Sequence, residues 1–132
     1  FFIREKNRLF DREEIECLTH SILFFAYGQI NLEKLMKREN DFQSSLIKEL
    51  EKRFPGCIIL KNDSNYLQGV PDLSIFYGSR WATLECKRSQ KAIHQPNQEY
   101  YVDRMDHMSF SRFICPENRE EILDELQSAF GT

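Results

Sequence analysis

The chain has 132 residues, of which 41% are hydrophobic and 11 are phenylalanine, and its net charge is −3. This length suits one domain rather than two, and the apolar content excludes an intrinsically disordered chain. The slightly acidic balance argues against a protein that binds nucleic acid through overall positive charge. Residues 15–27 are rich in apolar side chains, but polar residues interrupt them and they are too few to span a bilayer, so we expect no membrane partner.

The four cysteines form no C-x-x-C motif, and none lies near a histidine at the spacing of a zinc site. We interpret them as reduced structural thiols, and no secretory signal is evident in the sequence. We therefore expect an intracellular protein, from the cytoplasm of a prokaryote or of a bacterial host, that is not secreted. The cysteines are Cys17, Cys57, Cys86 and Cys115.

Residues 1–38 are predicted to form an N-terminal helical extension. Asp11 and Glu14 resemble a capping box, and the apolar residues that follow recur at helical spacing. Gly28 is a plausible end of this helix and Asn31 a plausible cap of the next, which gives a helical hairpin. Because the charges of the extension are balanced, DNA is a poor partner for it, and packing against its own core or association with a second copy of the chain is the better expectation. The apolar residues of the first helix are Ile15, Leu18, Ile22, Phe25 and Ala26.

The remaining residues, 39–132, are predicted to form one α/β domain. Residues 40–54 have the apolar stripe of an amphipathic helix, which Pro55-Gly56 ends. Residues 57–60 have the continuous apolar pattern of a buried strand, and a polar loop follows.

The next segment, residues 69–87, has the pattern of a β-hairpin. An apolar strand over residues 73–77 is followed by a turn at Gly78-Ser79 and by a second strand over residues 81–87. Since side chains alternate along a strand, Thr83, Glu85 and Lys87 share one face. Asp72, at the mouth of the first strand, is then close to this charged pair.

After a loop, Pro96 is expected near the start of a helix that runs to about His107. A strand over residues 110–115 and a last helix beginning at Pro116 complete the chain. The order α-β-β-β-α-β-α predicts a central mixed sheet flanked by helices.

Two carboxylates and an ammonium at one strand end suit a hard divalent cation such as Mg²⁺ and the hydrolysis of a phosphodiester. Pro71-Asp72 followed by Glu85-Cys86-Lys87 resembles the active-site signature of the PD-(D/E)XK nucleases. Gly69 to Leu73 and Pro96 to Gln98 are similar to the VRR-NUC branch and to phage and archaeal junction-resolving enzymes. The alternative reading is a surface hairpin in which Glu85 and Lys87 form an ion pair.

This resemblance, over residues 39 to 130, implies a restriction-endonuclease-like core and a set of site residues. Asp72, Glu85 and the backbone carbonyl of Cys86 would hold the metal, and Lys87 would position or activate the water. Mg²⁺ is the implied cofactor, with Mn²⁺ able to substitute. Glu39 corresponds to a further metal-binding acid on the first helix, with Glu49 and Glu51 as competitors and an ordinary first-turn acid as the alternative.

Gln98 resembles the glutamine that follows the E-x-K strand in VRR-NUC relatives and would orient a water or a phosphate, unless it is a surface residue of its helix. Positive charge gathers beside the expected site, which favours contact with DNA phosphates, although a solvated loop explains it equally. His94 has the chemistry of a phosphate ligand or a base, but an isolated loop histidine usually has neither role. The candidates for DNA binding are Arg80, Arg88, Lys91 and His94.

The sequence thus predicts a Mg²⁺-dependent DNA endonuclease, with a junction-resolving or other structure-specific activity. A site-specific enzyme of the phage homing or restriction type is the alternative within nucleases. A catalytically inactive DNA-binding module on the same fold is the alternative from another class. Duplex or branched DNA is the expected partner, and cutting both strands requires two sites, so we expect a homodimer or a higher even-numbered homo-oligomer.

Overall fold

The computed structural model describes the backbone of residues 3–5, 8–10 and 12–132, and the side chains of residues 22, 23 and 25–132. The chain divides into two compact units, Phe1–Lys37 and Arg38–Thr132. The division predicted from the sequence was 1–38 and 39–132.

In the first unit, strands β1 (Ile3–Glu5) and β2 (Arg8–Phe10) pair antiparallel, and helix α1 (Arg12–Arg53) begins. The predicted helical hairpin is wrong, because α1 continues through Gly28 without a break. A single glycine inside a helix costs only about 1 kcal/mol, and helix-forming neighbours outweigh it. The side chains expected to cap and line the first helix before residue 22 lie outside the described residues.

The part of α1 that belongs to the first unit carries many exposed apolar side chains. They occur over a stretch of only 15 residues and are each between 58% and 67% exposed. Isolated apolar residues on a protein surface are normal, but so many within 15 residues of one helix are unusual. The side chains are Ile22, Leu23, Phe25, Tyr27, Ile30, Leu32 and Met36.

The second unit is an α/β domain around a four-stranded mixed sheet of order β3-β4-β5-β6. The first three strands are antiparallel neighbours, and β6 lies parallel to β5 after the crossover through α2. The predicted order of elements is confirmed, although the last two helices begin two and three residues after the prolines expected to start them. The elements after α1 are β3 (Ile58–Lys61), β4 (Leu73–Tyr77), β5 (Arg80–Cys86), α2 (Gln98–Met108), β6 (Phe110–Ile114) and α3 (Arg119–Phe130).

One face of the sheet forms the hydrophobic core with α1 and α3. Leu73 and Ile75 of β4 and Leu84 of β5 are completely buried there. The rings of Phe54 and Phe130 meet edge to face at 5.1 Å. Burying each such side chain stabilises the fold by about 1.5–3 kcal/mol, so this layer holds the domain together. The helix residues that complete the core include Phe42, Leu46 and Leu50 of α1 and Ile122, Leu123 and Leu126 of α3.

Strand β3 differs from its prediction as a buried strand. Ile58 is 62% exposed and Leu60 is 49% exposed, and only Ile59 packs against the core. The strand has β4 as its one neighbour, so it lies at the edge of the sheet. A run of four apolar residues does not distinguish an edge strand from a central one, because strand position is set by pairing partners far away in the sequence.

The opposite face of the sheet, towards α2, is polar. The hydroxyl of Thr83 donates to Ser111 Oγ at 2.7 Å, and Glu85 is only 2% exposed. Ser111 of β6 is buried through this pairing. The alternation of faces predicted for β5 is confirmed.

None of the helices in the described part of the chain combines the length and the apolar character needed to cross a bilayer. The three described cysteines Cys57, Cys86 and Cys115 are free thiols.

Candidate functional site

The hairpin β4–β5 brings Asp72 and Glu85 together. Leu73 is paired with Leu84 across the two strands, so the residues just beyond them, Asp72 and Glu85, face each other. The backbone N–H of Asp72 donates to Glu85 Oε2 at 3.1 Å, and the N–H of Cys86 donates to Asp72 Oδ2 at 2.9 Å. These reciprocal bonds hold both carboxylates in fixed orientations at one strand end.

Lys87 and Gln98 complete the polar cluster. Lys87 Nζ donates to Gln98 Oε1 at 2.6 Å and to the carbonyl of Ile93 at 3.3 Å, and it lies 4.0 Å from Glu85 Oε1. Gln98 Nε2 donates to Glu85 Oε1 at 2.8 Å, and Gln98 Oε1 also accepts from the N–H of Gln95 at 2.7 Å. Gln98 therefore joins the carboxylate and the ammonium through the two ends of one amide.

The loop before β4 is held in place from two sides. Asn62 fixes it on one side through two hydrogen bonds. Its N–H donates to the carbonyl of Asp72 and its Nδ2 donates to the carbonyl of Pro71, both at 2.8 Å. Gly69 has φ +90°, and a Cβ atom there would lie 2.6 Å from Cβ of Asn97 and 2.9 Å from the carbonyl oxygen of Pro96. Only glycine allows this approach, which fixes the segment carrying Asp72 against the start of α2.

Burial and like charge dominate the electrostatics of the site. Burial and, after it, the charge of Asp72 raise the pKa of Glu85 to about 8, against the opposing charge of the Lys87 ammonium. Burial also raises the pKa of Asp72, against the hydrogen bond from Cys86 and the charge of Lys87. When both carboxyls are ionised, the single ammonium balances only one of the two negative charges, and a cation would neutralise the other.

Glu39 lies on α1 within electrostatic range of this cluster. Burial raises the pKa of Glu39, the charge of Asp72 raises it further, and Lys87 and Arg88 lower it. Glu39 is far from either end of α1, so the alternative reading of an acid in the first turn of a helix is wrong. Of its competitors, Glu49 bonds Arg53 at 3.0 Å instead, and Glu51 is exposed.

The donor set of the cluster fits a hard divalent cation. Asp72 and Glu85 offer carboxylate oxygens, the ligands that Mg²⁺ prefers, and each oxygen that accepts one hydrogen bond keeps a second lone pair. Among the described residues, no three His, Cys, Asp or Glu side chains are grouped closely enough to hold a metal ion. Mg²⁺ is commonly held by one or two carboxylates, with water and substrate oxygens completing its octahedron, so two suffice.

The basic candidates are not all near the cluster. Arg88 follows Lys87 directly, is half-buried and acts on the pKa of Glu39, and Lys91 is exposed in the next loop. The expectation that Arg80 flanks the site is wrong. Arg80 and Glu85 lie five residues apart on β5, roughly 16 Å along the strand, and Arg80 donates to the carbonyl of Ala129 in α3.

His94 is ordered by two contacts beside the cluster. Its ring stacks on Phe113 with 4.0 Å between centroids, and its Nδ1 lies 2.9 Å from Glu99 Oε1. Phe113 is paired with Glu85 across β5 and β6, so His94 covers the residue next to the carboxylate.

Sequence reasoning missed the residues that position the site rather than form it. Asn62 had no motif to identify it, and its role depends on a fold contact nine residues away, at Pro71. Ile93 binds Lys87 through its backbone carbonyl, a group that every residue has, so its side chain could not identify it. Gln43, which hydrogen-bonds the Cys86 thiol and opposes the rise of its pKa caused by burial, resembles any polar residue of an amphipathic helix.

Comparisons of this chain with protein-family models, with curated proteins and with solved structures found no match.

Proposed function

We propose that this protein is a Mg²⁺-dependent DNA endonuclease that hydrolyses phosphodiester bonds, with a structure-specific activity of the junction-resolving type. One observation carries the proposal: Asp72, Glu85, Lys87 and Gln98 form a connected polar cluster at the end of a buried strand. Burying two carboxylates and an ammonium lowers the stability of the fold, because charged groups leave water unfavourably. A cluster with this cost is expected to serve a function other than stability. Clusters with strongly shifted pKa values are characteristic of functional sites.

In this proposal Asp72 and Glu85 hold the metal, with the carbonyl of Cys86 as a further ligand, and Glu39 adds negative charge beside them rather than a direct bond. When bound, Mg²⁺ supplies a Lewis acid that polarises the phosphodiester and lowers the pKa of a water. Lys87 has three N–H donors, and Gln98 and Ile93 take two of them. The third is available to a phosphate oxygen or to the attacking water, where a fixed positive charge stabilises the developing negative charge.

Gln98 keeps Lys87 and Glu85 at a set separation, so that neither collapses onto the other as a closed ion pair. The α/β order with a mixed sheet also suits a restriction-endonuclease-like core, which we include in the proposal. Arg88, Lys91 and His94 are proposed to contact DNA phosphates. Arg80 is left out because it lies at the far end of its strand.

A nicking assay tests the proposal directly. Supercoiled, branched and single-stranded DNA would be incubated with the protein in the presence of Mg²⁺, of Mn²⁺ and of EDTA. We expect cleavage with either metal and none with EDTA, and the preferred substrate separates a junction-resolving enzyme from a site-specific one. Binding to DNA with no cleavage under any condition would support an inactive DNA-binding module instead.

We also propose that the exposed part of α1 in the first unit associates with a second copy of the chain. Ile22, Phe25, Leu32 and Met36 follow the three- and four-residue spacing of a heptad seam. These four side chains lie on one side of the helix and, at on the order of 100–150 Å² each, would bury roughly 500 Å² per copy, or about 1,000 Å² in total, the lower limit for a specific interface. Two copies would provide the two sites that paired cuts require.

Light scattering tests this association. Replacing Phe25 and Leu32 with glutamate should reduce the mass to that of one chain, and paired cuts should become single nicks. Glu33→Gln on the same helix turn is the matched control and should leave the mass unchanged. An unchanged subunit number in the double variant would exclude this surface as the interface.

A further inference from the structure

The cavity beside Asp72 has no role in the cluster described above. It has a volume of about 420 Å³, and its walls come from the loop after β3, from β4 and from α2. This volume lies within the range of about 300–1,000 Å³ that is typical of small-ligand sites. The lining residues include Asn62, Tyr66, Leu67, Val70, Ser74 and Met105.

The cavity is preformed, because both ends of its loop are fixed. Asn62 is bonded to the backbone of Pro71 and Asp72, and Gly69 packs against Pro96 and Asn97 at the start of α2. The N–H of Tyr66 donates to the carbonyl of Asp63 at 3.2 Å, and the N–H of Asn65 donates to Asp63 Oδ1 at 2.8 Å. A site of fixed shape loses less entropy when a ligand binds.

The rim of the cavity carries an aromatic ring that the fold does not use. Tyr66 is 90% exposed, although it is anchored in a turn, and Leu67 beside it is 37% exposed. The turn holds the backbone of Tyr66, and its unpacked ring offers a flat surface on which a planar ring can stack. Base-on-aromatic stacking of this kind is the usual way in which proteins hold unpaired nucleotides.

The floor of the cavity offers one acceptor and one donor side by side. Asn62 Nδ2 donates to Ser74 Oγ at 2.8 Å, which leaves the Asn62 Oδ1 atom as an acceptor and the Ser74 hydroxyl as a donor for a ligand. The hydrogen-bonding edge of a nucleobase presents donors and acceptors next to each other. In a duplex that edge is already paired, so the base must be unpaired to reach this floor.

Charge excludes a phosphate as the occupant. Of the described residues that line the cavity none is basic, and one, Asp63, is acidic. A phosphate would be repelled there, whereas a neutral ring would not be. Ser74 follows Asp72 by two residues on the same face of the sheet, a distance of roughly 7 Å. A base and its own phosphate are separated by a similar distance.

We propose that this cavity binds one unpaired nucleobase of a DNA strand whose phosphate lies at Asp72 and Glu85. The inference rests on the proposed nuclease function and extends it to a substrate class: DNA with a single-stranded or flipped-out nucleotide at the cut, rather than an intact duplex. Tyr66 stacks on the base, and Asn62 and Ser74 contact its edge.

The test uses the full chain with Glu85→Gln, to separate binding from cleavage, and DNA with 2-aminopurine at successive positions. A single strand, a duplex and a duplex with an unpaired flap of the same sequence would be titrated. We expect the two DNAs with unpaired bases to bind about tenfold more tightly than the duplex, and the fluorescence of one position to change on binding. Tyr66→Ala should abolish the preference, and Tyr66→Phe should keep it. Tyr100→Ala, which alters an exposed tyrosine of α2 outside this cavity, should also keep it.

Equal affinity for all three DNAs, or a preference that survives Tyr66→Ala, would overturn the inference. Its failure is distinguishable from that of the nuclease proposal. In the chain that keeps Glu85, Tyr66→Ala would be compared with the unaltered protein in a cleavage assay. Equal cleavage of DNA with unpaired bases by both would overturn only the base site. Tyr66-dependent binding of unpaired DNA without any cleavage would support the base site and overturn the nuclease.

Discussion

The two faces of β5 differ in chemistry although they share one backbone. Ala82, Leu84 and Cys86 are completely buried in an apolar layer between the sheet and two helices. Glu85, together with Lys87 just beyond the strand, is buried among hydrogen bonds and like charges. The first face stabilises the fold, whereas the second costs free energy and is held in place by the first. Substitutions on the two faces should therefore affect different measurements.

The largest effect is expected on the polar face, in cleavage. Asp72→Asn, Glu85→Gln and Lys87→Ala should each lower the rate of cleavage by about a thousandfold, since each removes a charge proposed to act on the reacting phosphate. Single-turnover cleavage rates and circular dichroism would be measured together. Glu121→Gln, on the exposed side of α3, is the control and should cleave at the rate of the unaltered protein. A variant of Lys87 that cleaves at that rate would contradict the assignment.

The next effect belongs to the apolar face. Leu84→Ala should lower the free energy of unfolding by about 2–5 kcal/mol, because removing a completely buried side chain leaves a cavity in the core. Urea unfolding measures this change. At a temperature at which the variant is still folded, its cleavage rate should stay within a few-fold of the original. A loss of cleavage as large as that of Glu85→Gln would mean that the two faces are not separable.

A smaller effect concerns pH. The pKa of Glu85 is about 8 in the folded protein, against an ordinary value of 4.5. An acid with a raised pKa binds its proton more tightly in the folded state, so its contribution to stability is present below pH 4.5 and is lost as pH rises towards 8. In EDTA, the stability of Glu85→Gln relative to the unaltered protein should improve by about 3–4 kcal/mol between pH 5 and pH 8.

Urea unfolding at the two pH values measures this difference, and Glu121→Gln should show none of it. Repeating the measurement with Mg²⁺ should flatten the pH dependence of the unaltered protein, because a cation between the carboxylates stabilises their charged forms. A profile that Mg²⁺ does not alter would count against a metal at this site.

The smallest effect concerns DNA binding. Arg88→Gln combined with Lys91→Gln should weaken binding several-fold for every DNA sequence and lower the slope of log affinity against log salt by about two. Arg80→Gln is the control, since it removes one positive charge at the other end of β5 and should leave the salt slope almost unchanged. Fluorescence anisotropy over a range of salt concentrations measures both. If Arg80→Gln had the larger effect, the DNA would lie elsewhere.

Local patterns were enough to predict the order of the elements, the hairpin and the two faces of β5. Alternation along a strand is a property of the backbone, so Thr83, Glu85 and Lys87 were assigned correctly from position alone. The same reasoning failed where the answer depends on distant partners. Nothing local marks β3 as an edge strand or shows that α1 continues through Gly28.

The contacts within the cluster were also beyond the sequence. Gln98 was expected to orient a water or a phosphate, and that its amide also links Lys87 to Glu85 could not be seen in the sequence. That geometry depends on where α2 begins, two residues after Pro96, and on the left-handed conformation of Asn97, with φ 68°. Arg80 was likewise expected near the site because it is close to Glu85 in the sequence. Along an extended strand, however, five residues separate the two side chains widely.

The contact of Gly69 with Asn97 has a mechanical consequence. The backbone of the segment carrying Asp72 packs directly against the backbone at the first turn of the helix carrying Gln98. We therefore expect the two sides of the cluster to move together rather than to open and close around a substrate. DNA would have to enter from the exposed side already shaped to fit, and the deformation needed for cleavage would fall on the nucleic acid rather than on the protein.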